Sequence, residues 1–163
     1  MAKRILVPVA ASERAEAIVP VVSALARDGG GTVRLLSVQP VQRTRFDEYA
    51  RQLPTYGYDA TVTVEIRNRV LMYGHAHEAR VEAETLERLR QLEPLLDGVP
   101  VEPVVRFGDV VDEIVREATA FDADLVAFTE RPRRWWRPAL ARIVDRVRAR
   151  VRVPVLALVG GAR

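Results

Sequence analysis

With 163 residues the chain has the length of a single domain, and its 48% hydrophobic and 29% charged residues are those of an ordinary globular protein. It contains no cysteine, which excludes a disulfide framework and thiolate metal sites and points to a cytoplasmic setting. The net charge is only +3, yet residues 131–152 hold nine arginines against one acid, Asp145, so that stretch carries +8 and the remainder −5.

The chain opens with Lys3 and Arg4 and then an apolar run over 5–9. The run is short for a secretory leader and contains Pro8, so it reads as a strand covered on both faces. No run reaches the roughly 18 apolar residues of a membrane span. Ser12 is placed to cap a helix, with Glu13 and Glu16 in its first turn and Ile18, Val21, Val22 and Leu25 at helical spacing. Pro20 requires that helix to start late or to kink. Gly29, Gly30 and Gly31 end it, and 32–38 reads as a second strand. Residues 40–60 show no clear period, and 40–75 reads as an irregular insertion. Within it, Val62, Val64 and Ile66 alternate as in a short edge strand, although the same valines also fit a helical spacing reaching Val70.

An amphipathic helix is expected over 78–96, its stripe made by Val81, Thr85, Leu89, Leu92 and Leu96, with Pro94 in its last turn and Gly98 as the stop. Residues 99–106 form a third strand. Gly108 and Asp109 open a helix with Val110, Val111, Ile114, Val115 and Ala118 inward; 125–128 is strand four, 139–151 a helix, and 155–158 strand five. Strands alternating with helices predict an α/β fold: one doubly wound, Rossmann-like domain over 1–163 with a five-stranded, mainly parallel sheet. A ligand of such a fold lies at the carboxyl ends of the strands, by the topological switch point.

The phrases KRILVPV, SERAEAIVPVVSALAR, LLSV, RFGDVVDEIVREATAFDADLVAF and VRVPVLAL, taken in order, resemble the universal stress protein family. The resemblance covers nearly the whole chain apart from 40–75. ATP-binding members carry an aspartate at the end of strand one and Gly-x2-Gly-x9-Gly-Ser/Thr after strand four. Glycines there let backbone amides approach phosphates, and the hydroxyl adds a donor. Anchored on Asp124 and Pro154, the aspartate position is Ala10, the glycine positions are Phe128, Arg131 and Ala141, and the Ser/Thr position is Arg142. All five are replaced, and Pro132 and Pro138 remove two further amides. The resemblance therefore implies a member without ATP and without any cofactor, Phe128 and one tryptophan filling part of the former cleft.

The strongest remaining signal is the loop RPRRWWRP and the helix after it. Arg131, Arg133, Arg134 and Arg137 flank Trp135 and Trp136, while Arg142, Arg146 and Arg150 recur every fourth residue on one helix face. Arginines interleaved with stacking platforms suit an anion or a nucleic acid, but a solvated face in an arginine-rich protein explains them as well. His75 and His77, even with Glu78, are too few for a metal site. Ser12, Ser23 and Ser37 have no evident base, and no Gly-x-Ser-x-Gly elbow or carboxylate pair stands out, so no catalysis is expected. The leading reading is a stress-response protein acting as a homodimer, through the apolar strand five, and through an unknown protein partner. An anion- or nucleic-acid-binding module is the second reading, and a nucleotide hydrolase with a non-standard phosphate loop the third.

Overall fold

The structure, a computed structural model, describes residues 3–9, 17–41, 43–53, 60–130 and 139–159. The three apolar residues Ile5, Leu6 and Val7 are all buried, which is what a strand covered on both faces requires. They form β1 (Arg4–Pro8) at the centre of a five-stranded sheet with β2 (Thr32–Gln39), β3 (Val101–Phe107), β4 (Leu125–Glu130) and β5 (Val155–Val159). The order is β3-β2-β1-β4-β5 and every pairing is parallel, β1 lying against β2 from Arg4↔Thr32 and against β4 from Ile5↔Leu125. The order reverses between β1 and β4, and β3 and β5 form the edges.

Alternate side chains build two cores, one on each face of the sheet. Ile5, Val7, Val33 and Leu35 pack with Val19, Val22 and Ala26 of α1 (Val19–Arg27) and with Leu89 and Leu96. Leu6, Leu36, Val126 and Phe128 pack with Val111, Ile114 and Ala118 of one helix, Val110–Ala120, and with Val144 and Val147 of another, Ala139–Arg148. Pro20 lies in the first turn of α1, where its missing N–H costs no intrahelical bond, so the late start is the solution adopted. Gly31 closes that helix by donating to the Ala26 carbonyl at 2.8 Å. A Cβ on Gly31 would meet the Lys3 carbonyl oxygen at 2.2 Å, so only glycine fits there.

The chain divides into two compact units, Met1–Gln39 with Thr85–Arg163, and Pro40–Glu84. The second unit corrects the reading of 40–75 as irregular with a strand at 61–66. It holds α2 (Arg43–Gln52) and most of α3 (Ala60–Arg90). Thr63, Arg67, Val70, Gly74 and Val81 are buried or half-buried at helical intervals, whereas Val64 and Ile66 are 51% and 42% exposed. Helical pairs Arg69–Glu65 at 2.9 Å and Arg80–Glu84 at 2.8 Å support the exposed side. Arg67 Nε donates to the Ala50 carbonyl at 3.3 Å, tying α3 to α2. The helix expected over 78–96 is thus the end of a 31-residue one, followed by a 3-10 turn over Glu93–Leu96 that contains Pro94. Asp97 and Gly98, both left-handed at φ 40° and 78°, turn the chain into β3. The helices Val110–Ala120 and Ala139–Arg148 are α4 and α5.

Candidate functional site

In an open parallel sheet the ligand crevice lies beyond the carboxyl ends of the two strands where the order reverses, here β1 and β4. β1 runs out through Val9, whose N–H still donates to Leu36 at 2.7 Å. β4 ends on Phe128, Thr129 and Glu130, which pair with Ala157, Leu158 and Val159. Beside them, at the end of β2, Ser37 is buried and accepts from Gln39 Nε2 at 3.1 Å.

Of the residues singled out in the sequence, Ala10, Arg131, Arg133, Arg134, Trp135, Trp136 and Arg137 lie outside the described residues, as does Ser12. Ala141 and Arg142 fall in the first half of α5. Phe128 is 7% exposed and packs with Leu6, Leu36, Val144 and Val147. That gives it a packing role on the α4 and α5 side of the sheet whatever stands in the crevice. Arg146 is exposed on α5. Arg150 departs from the expected basic helix face, because α5 ends at Arg148 and Arg150 Nη1 donates to Asp112 Oδ1 of α4 at 2.5 Å. His75 and His77 sit two positions apart on α3, about 200° around the helix axis, and so point to different sides. Among the described residues no group of three or more histidines and carboxylates stands close enough to hold a metal.

Two buried carboxylates on α4 were not legible from spacing alone. Asp109 caps the helix by accepting from the N–H groups of Val111 and Asp112 at 3.0 and 3.1 Å. Glu113 and Glu117 then fall on the inward face, 6% and 2% exposed. Glu117 Oε1 accepts from Arg34 Nη1 at 2.7 Å, and Oε2 from Arg106 Nε at 2.9 Å. Arg34 also donates to Glu102, and its guanidinium lies 4.0 Å from the Phe121 ring centroid. Both oxygens of Glu117 are taken by guanidinium groups, so its geometry is that of a tie between α4, β2 and β3 rather than an acid or base facing a substrate. Val110, expected on the inward face, is instead 38% exposed, because the buried face of α4 runs through Val111, Ile114, Glu117 and Ala118.

The Arg150 guanidinium holds the Asp112 carboxyl below its ordinary value of 3.8, opposed by partial desolvation and helped by the charges of Arg146 and Arg116. A carboxyl lowered in the folded state stabilises it above the unfolded value, and that contribution is lost as pH falls through the folded one. Asp112→Asn is therefore expected to lower the urea midpoint at neutral pH, with the gap to the native chain closing as pH drops below 3.8. A gap that stays constant across this range would contradict the tie.

An all-parallel, five-stranded open sheet with a core on each face and one reversal of strand order defines a doubly wound, Rossmann-like α/β class of protein. The family model "Universal stress protein family" matches residues 1–158, and the chain belongs to that family. No curated protein matches the chain in sequence. Among solved structures it is similar to the hypothetical protein MJ0577, at 21% identity and a TM-score of 0.62 over 100% of this chain and 99% of that one. It is similar also to universal stress protein UspA from Lactobacillus plantarum, at 16% identity and 0.60 over 96% and 97%. A third is the universal stress protein from Archaeoglobus fulgidus in complex with dAMP, at 17% identity and 0.52 over 96% and 98%. At these identities the likeness establishes the fold. Among the described residues no helix is long and apolar enough to cross a membrane.

Proposed function

We propose that this chain is a universal stress protein that does not bind ATP and acts in the cytoplasm as a homodimer, by engaging a protein partner. The observation that carries the first half is the absence of any glycine between Gly108 and Gly160, a span that includes the whole β4–α5 connection. A cradle of backbone amides around a phosphate needs close approach and positive φ, which glycine supplies and side chains obstruct. Pro132 and Pro138 contribute no N–H to such a cradle. Among the described residues Ser23 donates to the Leu96 carbonyl and Ser37 accepts from Gln39, neither facing a base, and the chain is proposed not to be an enzyme.

The competing reading is nucleotide binding, favoured by the dAMP complex of the Archaeoglobus fulgidus protein. Melting temperature in Mg-ATP or dAMP separates the two. A ligand present at a hundred times its dissociation constant adds about 2.7 kcal/mol, which in a domain of this size raises the melting temperature by about 5–10 °C. The proposal predicts no rise with either nucleotide, and a rise of that size contradicts it.

The second half rests on β5, a strand of sequence VLALV that among the described residues pairs only with β4. An unpaired apolar edge is a template for its own copy. Light scattering at tens of micromolar is expected to give twice the chain mass, and a monomer there contradicts the dimer. Leu156 and Leu158 pack against the core shared with α1, so Leu156→Lys tests stability rather than assembly.

A further inference from the structure

The largest exposed apolar side chains of the chain lie on α3. Met72 and Tyr73 are 71% and 64% exposed, and Ile66 is exposed with them, while Thr63, Arg67, Val70 and Gly74 turn inward. Single apolar residues at a surface are ordinary, but a contiguous run of them marks a contact. This run has a fixed period. Ile66, Tyr73 and Arg80 are spaced by seven, as are Arg69, Ala76 and Ala83, and the two rows are offset by three. That is the alternating three- and four-residue spacing of a coiled-coil seam. All six residues are exposed, and the seam runs about 26 Å along the helix at 1.5 Å per residue. It lies wholly within the unit Pro40–Glu84.

The charges along the seam decide what it fits. Arg69 is paired with Glu65 at 2.9 Å and Arg80 with Glu84 at 2.8 Å, each one helical turn away. The seam is therefore neutral, and a nucleic acid or a strongly charged segment gains no net ionic attraction there. It offers an occupant apolar surface and the aliphatic stems of two arginines. Its two rows also differ in size. Ile66 and Tyr73 are bulky in one row, whereas Ala76 and Ala83 are small in the other. An antiparallel pair of like helices sets the first row of each against the second row of its mate, so bulk meets alanine and the surfaces interlock. A parallel pair would set Tyr73 against Tyr73 and leave gaps at the alanines.

We infer that the exposed seam of α3 docks antiparallel on the same seam of a second copy of this chain. With the two-fold axis at Leu71, Ile66 packs on Ala76 of the second copy and the Arg69 guanidinium lies over the Tyr73 ring. Met72, at the flank, meets its own copy across the axis. Each contact occurs twice, as an isologous interface requires. Moving the register by one heptad would set Arg69 against Arg80, like against like, which selects against it. This deepens the homodimer half of the proposed function and rests on self-association, but not on β5 or on the nucleotide half.

The chain contains no cysteine, so Met72→Cys introduces a single thiol, and disulfide cross-linking of the full chain by diamide reads the contact. A covalent dimer is expected, formed at least about tenfold faster than with His75→Cys, because thiols paired at an interface meet at a millimolar effective concentration. His75 is also exposed, but in this register its two copies lie about 12 Å apart along the helices. Adding Ile66→Lys and Tyr73→Lys to Met72→Cys should slow cross-linking to the His75→Cys rate with no change in melting temperature, since both side chains face solvent in the single chain. No covalent dimer from Met72→Cys overturns the inference. Equal rates for Met72→Cys and His75→Cys, or a rate that the two lysines leave unchanged, also overturn it. Light scattering of the native chain separates the two failures. Twice the chain mass without cross-linking removes the α3 contact and leaves the β5 dimer, whereas a monomer removes both.

Discussion

Glu117→Ala is expected to destabilise the fold by about 3 kcal/mol and to lower the melting temperature by about 6–12 °C. The Glu117 side chain is 3% exposed and both of its oxygens are engaged, by Arg34 and Arg106. Among the described residues, removing it leaves Arg34, 20% exposed, with Glu102 alone, and Arg106 with no carboxylate. Removing one member of a buried pair costs about 3–5 kcal/mol because the remaining charge stays desolvated. The lower end applies here, since Arg106 is 47% exposed and water can reach it. Replacing both members, Glu117→Leu with Arg34→Met, should restore part of the loss, because a well-packed apolar pair has no desolvated charge. Urea denaturation reads both changes, and a loss below about 1 kcal/mol in the single variant would show that the network contributes little.

Phe128→Ala has the other large effect, a loss of about 3–5 kcal/mol. The ring lies in the core beneath α4 and α5 among Leu6, Leu36, Val144 and Val147, where truncation leaves a cavity. The same variant separates two roles of the residue. A ring that merely blocked a ready-made nucleotide site would be removable at little cost, and its removal would restore binding. The structure puts Phe128 in the core, so the expected outcome is a large loss of stability and no gain of nucleotide affinity. A stable variant that binds Mg-ATP would contradict it.

β1 was legible because it is a short apolar run and burial on both faces tolerates little else, whereas β2 and β3, which carry Arg34, Glu102 and Arg106, were legible from the glycines and prolines that bound them. Val64 and Ile66 misled for a definite reason. Three alternating apolar residues satisfy a period of two, while the buried side of α3 is made of Thr63, Arg67, Val70 and Gly74, which carries almost no hydrophobic signal. The length of α3 became visible only from burial. Composition gave away the basic surplus of the C-terminal third but not its disposition. Arg150 is tied to a carboxylate 38 positions earlier and Arg34 to one 83 positions later. Separations of that size are set by the packing of α4 across the sheet, which no local pattern encodes. Glu117, read locally, is a polar residue in an amphipathic helix, and only Arg34 and Arg106 facing it explain its burial.

The central claim is that this member of the universal stress protein family lacks a nucleotide site. Calorimetric titration of the full chain with Mg-ATP tests it most directly. The account predicts only heats of dilution up to millimolar nucleotide, since the β4–α5 connection contains no glycine to bring amides to the phosphates. A stoichiometric isotherm with a micromolar dissociation constant, equivalent to about 8 kcal/mol of binding free energy, would contradict it.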